Sequence, residues 1–395
     1  MFLKTLEYRE HKGMPMAWSL RGLHLGPINL IVGKNSTGKT RVINIIAALA
    51  NSIAGRAPMF SSANWEAEFE RYKGEVVESQ TYHLSHHSQR ISHEKFLIKN
   101  QTVMERSESG DGFVLKKKGS ERVRYKVESN QLMAVVRSDP YQHPQFENLK
   151  RWAKSSCMYR FGSEFGRGNL TIGNQPPLDA TSTLDISMMP EDVSGVFLRT
   201  SQRFGDALKI ALIDDMAAIG YPCDDIALVP MAELNVNGAS ALAMAIKEKD
   251  INFYIRQTDL SQGMYRALAL LVQFNANILW TRAMMVGRTP KLGDSPMLLI
   301  DDIGEGLDHE RSRSLIQLIV SKCLNNNIQL IMSSNDRYVM NYVSLKYWTV
   351  LTRVGGIVEA VNIHNSKETF EEFSYSGLSN FDFFSGEHYS KDSAV

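Results

Sequence analysis

Cysteine is scarce in this chain, and where it occurs it is isolated. Cys157, Cys223 and Cys323 lie far apart and form no CxxC pair. That argues against a disulfide framework and a structural zinc site, and fits a reducing, cytoplasmic setting. No apolar run reaches the ~18 residues of a membrane span, and residues 1–13 lack the apolar stretch of a secretory leader. The expectation is a soluble chain, neither membrane-integral nor secreted. Excess charge of either sign is missing too. Lys plus Arg number 44 and Asp plus Glu 43, for a net charge of +1, so any nucleic-acid surface must be a local patch. Internal repeats and a long heptad run are also absent. What remains is ordinary globular composition, 43% hydrophobic and 22% charged over 395 residues. At roughly 150 residues per domain, about two to three domains, or one with a large insertion, are expected.

Residues 23–32 read as a short apolar strand with Pro27 at its edge. A glycine-containing loop follows, then a helix over 39–54, where Val42, Ile45, Ile46 and Leu49 recur at helical spacing. Over 75–128, short strand-like pieces alternate with polar turns such as Ser109-Gly110-Asp111-Gly112, the pattern of hairpins. Residues 145–160 and 193–219 read as helical. Between them, 162–190 is rich in Gly, Asn, Pro, Ser and Thr and reads as a long loop. A strong apolar helix is expected over 261–280, a buried strand over 297–301, a helix over 309–323, a strand over 328–333 and a closing hairpin over 346–363 around Gly355-Gly356. The corresponding division is an N-terminal lobe at 1–130, a helical and loop insertion at 131–250, a C-terminal lobe at 251–364 and an aromatic-rich tail at 365–395.

The segment Gly33-Lys34-Asn35-Ser36-Thr37-Gly38-Lys39-Thr40 fits GxxxxGK(S/T), placed between a strand and a helix as that motif requires. Gly33 and Gly38 let backbone amides turn inward around phosphate oxygens. The helix N-terminus adds its positive dipole end. Lys39 reaches toward β and γ phosphates, the Thr40 hydroxyl suits Mg2+, and Arg41 follows at the rim. The bland alternative is a chance glycine turn. Downstream, the apolar run Met297 to Ile300 ends in Asp301 and Asp302, which strand alternation points different ways. One carboxylate can serve a magnesium ion and the other an attacking water; two exposed acids at a strand end are the alternative. Leu260-Ser261-Gln262-Gly263 opens a helix, an arrangement that is either an anion site or a plain N-cap.

Taken in order, the phosphate loop, the LSxG segment, the strand with acids, Gly306-Leu307-Asp308 and the run Gln329 to Asp336 resemble the ABC-type ATPase head. The resemblance is to the non-transporter AAA-family ATPases of the overcoming-lysogenization-defect and chromosome-maintenance type. It covers about residues 20–60 and 255–355. It implies an α/β P-loop NTPase of ABC-ATPase type with a β-rich N-terminal part and a helical insertion, with ATP and Mg2+ as cofactors. By carry-over, Ser261 and Gly263 meet the γ-phosphate of ATP held by an opposite subunit, so that ATP joins a head-to-tail dimer. Thr40 and Asp301 become the magnesium residues, Asp302 takes the catalytic acid position, and Asp308 the loop aspartate at the dimer seam. Two positions depart from the family pattern. Asp302 stands where Glu is usual, one methylene shorter, and Asn335 stands where His is usual, able to donate a hydrogen bond but not to carry charge. Both departures weaken hydrolysis more than binding, and Glu305 competes with Asp302 as the base.

Weaker signals leave alternatives open. Lys116, Lys117, Lys118, Arg122, Arg124 and Lys126 form either a nucleic-acid contact or a solvated hairpin face. His83, His86, His87 and His93 form a histidine-rich tract without a completing acid or cysteine in sequence. Tyr8 and Trp18 either stack on adenine or pack in the core. Phe370, Phe373, Tyr375, Phe381, Phe383 and Phe384 form either a partner-docking tail or a last segment packed on its own core. The leading functional expectation is an ATP-dependent dimeric switch. Relatives of this kind often accompany a separately encoded effector in anti-phage defence. The alternative is a DNA-binding repair or recombination ATPase. A transporter subunit is disfavoured by the long interval between Gly38 and Ser261, and a fused nuclease by the short stretch after Asp336.

Overall fold

The computed structural model describes residues 1–56, 62–73, 76–116, 121–137, 139, 141–173, 189–236, 239–284 and 296–390. The chain opens with an antiparallel pair, β1 (Phe2–Glu10) and β2 (Trp18–His24), followed by β3 (Ile28–Val32). The single strand expected over 23–32 is thus two. The Asn29 side chain explains the break: it accepts from the Gly26 amide at 2.7 Å and donates to the Gly26 carbonyl at 2.9 Å, closing a turn at Gly26-Pro27. Helix α1 (Lys39–Ile53) follows the phosphate loop.

The hairpins expected after it are present and begin earlier. They comprise β4 (Ala63–Lys73), β5 (Val76–His87), β6 (Arg90–Ile98), β7 (Gln101–Ser107), β8 (Asp111–Leu115) and β9 (Arg122–Lys126), each antiparallel to the next. Next come α2 (Met133–Val136), α3 (Glu147–Ser155) and β10 (Cys157–Arg160). Residues 157–160, read as the end of a helix, form a strand instead. Ser156 turns extended at ψ 125°, and its hydroxyl ties back to the Trp152 carbonyl at 2.7 Å, which ends the helix. A strand this short leaves no periodicity to read.

Then follow β11 (Thr171–Ile172), α4 (Val193–Phe204) and α5 (Ala207–Ala218), with Gly205 at φ 60° between the helices. Most of the loop expected over 162–190 lies outside the described residues. The region read as a helical insertion also holds β12 (Cys223–Val236) and β13 (Ala239–Glu248). With β11 and β14 (Ile255–Arg256) they make a second, four-stranded sheet. The chain closes with α6 (Gln262–Met284), β15 (Met297–Asp301), α7 (His309–Asn325), β16 (Gln329–Ser333), α8 (Arg337–Tyr342), β17 (Trp348–Val354), β18 (Ile357–Asn362), α9 (Lys367–Ser374) and α10 (Asn380–Ser385).

The main sheet runs β10-β15-β16-β3-β17-β18-β2-β1-β4-β5-β6-β7-β8-β9. From β10 to β17 the strands are parallel. Every residue of β3, β15 and β16 is buried, as parallel strands covered on both faces require. Their side chains alternate between two cores. Leu30, Leu298, Ile300 and Leu330 face α4 to α7, and Ile31, Leu299 and Ile331 face α1 and α3. The architecture is therefore mixed α/β, with a parallel half continued, past the parallel β18–β2 pair, by an antiparallel wing from β2 to β9. Among the described residues no helix is long and apolar enough to cross a membrane.

The wing is pinned by a buried carboxylate. Glu94 accepts from the Tyr82 hydroxyl (2.8 Å) and from the amides of Met133 (2.7 Å) and Ala134 (3.0 Å). Nearby, buried Arg106 donates to the carbonyls of Gln131 (3.1 Å) and Glu128 (3.3 Å). Burial raises the Glu94 carboxyl pKa; the two amides, Tyr82 and the Arg106 charge oppose the rise. Glu94→Ala leaves three donors unpaired, at about 1 kcal/mol each. Denaturant titration should show a loss of about 3 kcal/mol; an unmoved midpoint would contradict this assignment.

Candidate functional site

The phosphate loop links the central strand β3 to α1. Gly33 is required by a close approach: a Cβ there would lie 2.6 Å from Thr37 Oγ1 and 3.0 Å from the Leu351 carbonyl oxygen. Gly38, at φ 106°, holds a backbone conformation that disfavours other residues. The Thr37 hydroxyl donates to the Lys34 carbonyl at 2.8 Å and stiffens the loop. Lys39 is buried under it, its Nζ donating to the carbonyls of Gly33 (2.8 Å) and Lys34 (3.3 Å). Burial lowers the Lys39 pKa, while the charges of Asp302 and Asp301 pull it back up. Lys34 points outward and pairs with Glu387 beyond α10.

The acids meet this loop through one oxygen. Asp301 Oδ1 accepts from Thr40 Oγ1 at 3.2 Å and from Ser333 Oγ at 2.6 Å. Ser333 Oγ in turn accepts from the Asp302 amide at 3.0 Å. The strand ends at Asp301; Asp302 turns into the left-handed region at φ 54° rather than continuing the alternation. Burial raises the Asp302 carboxyl pKa, the neighbouring Asp301 and Glu305 charges raise it further, and Lys39 opposes them. The Glu305 carboxylate lies against Gly162, where a Cβ would stand 2.1 Å from its Oε2.

Asn35, Ser36, Gly38, Lys39, Thr40, Arg41, Asp302 and Asn335, joined by Trp18, Asn44 and Arg353, line one cleft of about 500 Å³. Arg353 donates to the Ser36 carbonyl at 2.9 Å, and Arg41 lies 4.5 Å over the Trp18 ring while pairing with Glu10. Trp18 and Tyr8 are both buried, so core packing holds them, with Trp18 also flooring the cleft. Sequence reasoning missed Ser333, Arg353 and Asn44. The run Ser333-Ser334-Asn335 offered a signal for the first; Arg353 sits in a hairpin with no motif to mark it.

Ser261, Gly263 and Asp308 do not line this cleft. They form a second patch where α6 and α7 begin. Ser261 Oγ accepts from the Met264 amide at 3.3 Å as an N-cap does. A Cβ on Gly263 would lie 2.6 Å from the Gly306 carbonyl oxygen, so this glycine lets α6 touch the turn after the acids. Asp308 caps α7 by accepting from the Arg311 amide at 3.0 Å, and its side chain pairs with that of Arg311. These contacts hold its pKa below the usual carboxylate value. The Arg311 guanidinium lies 4.3 Å over the ring of Tyr221, a residue the sequence did not single out.

Other candidate signals separate. His86 is buried with its ring 5.1 Å from Trp65, whereas His83 faces the other side of the sheet toward Glu66 and His93 bonds Glu105 at 3.2 Å. Among the described residues no group of three or more His, Cys, Asp or Glu side chains is placed to hold a metal. Lys117 and Lys118 lie outside the described residues. Lys116 pairs with Glu121 at 2.8 Å and Lys126 with Asp111 at 3.5 Å, while Arg122 stacks 4.4 Å over Phe113. In the tail, Phe370, Phe373 and Phe383 are buried in the core beside α4 to α7, and Tyr375 is exposed. The tail is therefore packed mainly on its own chain. None of the three cysteines forms a disulfide, and all three are buried.

No family model and no curated protein matches the chain. Solved structures that it is similar to include an Smc head bound to the C-winged helix domain of ScpA. The identity is 11%, over 91% of this chain and 98% of that one, with a TM-score of 0.49. The SMC head domain from Thermotoga maritima matches at 14% identity over 92% and 99%, with a TM-score of 0.43. A dimeric ATP-binding cassette bound to ADP and Pi matches at 12% over 90% and 95%, with a TM-score of 0.33. These likenesses lend no residue roles to this chain.

Proposed function

We propose that the chain is an ATP-binding, slowly hydrolysing ABC-type ATPase head that pairs head-to-tail around ATP and works as a switch. One observation carries the reading: Asp301 joins the Thr40 hydroxyl of the phosphate loop to Ser333 and, through it, to the Asp302 amide. Thr40, Lys39, Asp302 and Asn335 line one cleft, and Asp301 is tied to it through Thr40. Loop amides and Lys39 hold the triphosphate. Hydroxyl and carboxylate oxygens suit Mg2+, which keeps few protein ligands and takes the rest from phosphate and water. Thr40 and Asp301 would hold it, and it would neutralise charge on the phosphates. Asp302 or Glu305 accepts the proton of the attacking water, and Asn335 donates a hydrogen bond toward the γ-phosphate. A partner effector and a part in anti-phage defence extend this proposal on the family resemblance alone, and retention of one co-purifying protein from native cells tests them. A DNA-repair role requires salt-sensitive DNA binding by the pure protein.

The patch of Ser261, Gly263 and Asp308 stands apart from the cleft, as a surface serving a second copy must. Asn35 and Gln262 are exposed at the two patches, and the native cysteines are buried. A chain carrying Asn35→Cys and Gln262→Cys should therefore crosslink between subunits faster with ATP and Mg2+ than without. Adding Ser261→Arg should remove the ATP effect by bulk while ATP binding stays. Equal crosslinking with and without ATP in the parent pair would contradict the head-to-tail arrangement.

A further inference from the structure

Arg266 lies in the first turns of α6, just past Ser261 and Gly263, and is buried. The phosphate chemistry above does not use it. Its guanidinium donates through all three nitrogens to backbone carbonyls: Nε to Ser163 (3.0 Å), Nη2 to Gly162 (2.9 Å) and Nη1 to Glu305 (3.1 Å). These acceptors belong to the two segments that flank the acids. Phe161, just before them, donates its amide to the Asp301 carbonyl at 2.9 Å. A Cβ on Gly162 would stand 2.1 Å from Glu305 Oε2 and 3.4 Å from Asp302 Cβ. The loop held by Arg266 is therefore the surface against which Glu305 rests, and it borders Asp302.

Further bonds tie the same loop to α6 from both sides. The Tyr265 hydroxyl donates to the Phe165 carbonyl (3.2 Å), and Gln262 Nε2 to Glu164 Oε1 (3.1 Å). Arg167 reaches back to the carbonyls of Gln257 (3.0 Å) and Thr258 (2.6 Å), just ahead of Ser261. The start of α6 and the loop after β10 are thus one hydrogen-bonded body. A planar arginine fork satisfies three fixed acceptors at once, which the single ammonium of lysine does not reproduce.

We propose that Arg266 is a positioning residue that couples the Ser261–Gly263 segment to the acids of its own chain. The proposal rests on the head-to-tail reading above. In that pair, Ser261 and Gly263 meet the ATP of the opposite subunit, while Asp302 and Glu305 act on ATP in their own cleft. A shift of α6 on meeting the opposite γ-phosphate passes through the guanidinium to Gly162 and Glu305. ATP at one site thereby sets the acids at the other, a coupling between two distinct sites.

The test compares wild type, Arg266→Lys, Arg266→Gln and Gly162→Ala. Phosphate release against ATP concentration, ATP affinity by calorimetry and thermal unfolding are read on the same preparations. Wild type should give a sigmoidal curve, with a Hill coefficient above about 1 and at most about 2. Both Arg266 variants should bring it to about 1 and lower kcat by about 10²-fold, the scale of a small misplacement, with ATP affinity and the ATP-driven crosslink kept. Gly162→Ala displaces the Glu305 carboxylate without touching Arg266, so it should lose turnover in the same way; it also keeps the test open should an Arg266 variant fail to fold. A purely structural role would shift the melting temperature but leave kcat and the Hill coefficient of the folded protein unchanged. A hyperbolic wild-type curve, variants that keep cooperativity, or variants that lose ATP affinity together with turnover would overturn the coupling. A wild-type chain that gives no ATP heat overturns the ATPase reading itself, and calorimetry shows that before any variant is compared.

Discussion

Asp302→Asn lowers phosphate release by about 10²–10⁴-fold, the contribution a positioned base makes, and leaves ATP affinity unchanged. The side chain lines the cleft beside Lys39 and Asn335. Burial and two neighbouring carboxylates raise its pKa, which makes it a better proton acceptor than an ordinary exposed aspartate. It is still a short side chain, so wild-type turnover is expected to be slow, and Asp302→Glu with Asn335→His should raise it. Glu305 is the competing base, because its carboxylate is near enough to raise the Asp302 pKa. Phosphate release by Glu305→Gln separates the two. If Glu305→Gln shows the full loss and Asp302→Asn does not, the base is Glu305.

The second large effect falls on binding. Lys39→Ala removes a buried, charge-assisted phosphate contact of about 2 kcal/mol, equivalent to roughly 30-fold in ATP affinity. The same side chain donates to the Gly33 and Lys34 carbonyls, so the loop also loses an internal brace. Lys34→Ala is the matched control. That lysine is exposed and pairs with Glu387, so its loss should change affinity far less. Calorimetry with ATP and Mg2+ reads both. Equal affinities for Lys39→Ala and wild type would remove the phosphate loop from the binding site.

Much of this was legible in the residues, for physical reasons that differ by element. The glycines at 33 and 38 and the apolar strand ending at Asp301 are local features, so a short stretch of sequence marks them. The order β3, α1, β15, β16 follows from buried apolar runs that only a covered parallel sheet accommodates. What escaped reading was non-local or too short. Four-residue β10 follows a helix directly and is recognisable only by its pairing with β15. The second sheet lies in a stretch with no motif, and its strands are stabilised by each other. At the site, Ser333 and Arg353 reach the phosphate loop and its acid from strands distant in sequence. Arg266 is a polar residue on an apolar helix that no motif marks, and only the fold reveals its three carbonyl partners. The two-residue period of a strand puts His86 on the face opposite His83, so the histidine tract does not gather on one side of the sheet.

The most direct test of the central claim is one sample of the purified chain titrated with ATP and Mg2+ in a calorimeter and then followed for phosphate release. The account predicts saturable binding at one ATP per chain, with release well below the ~10 s⁻¹ of a typical enzyme. No saturable heat, or release at about 10 s⁻¹ without DNA or a partner, would contradict it.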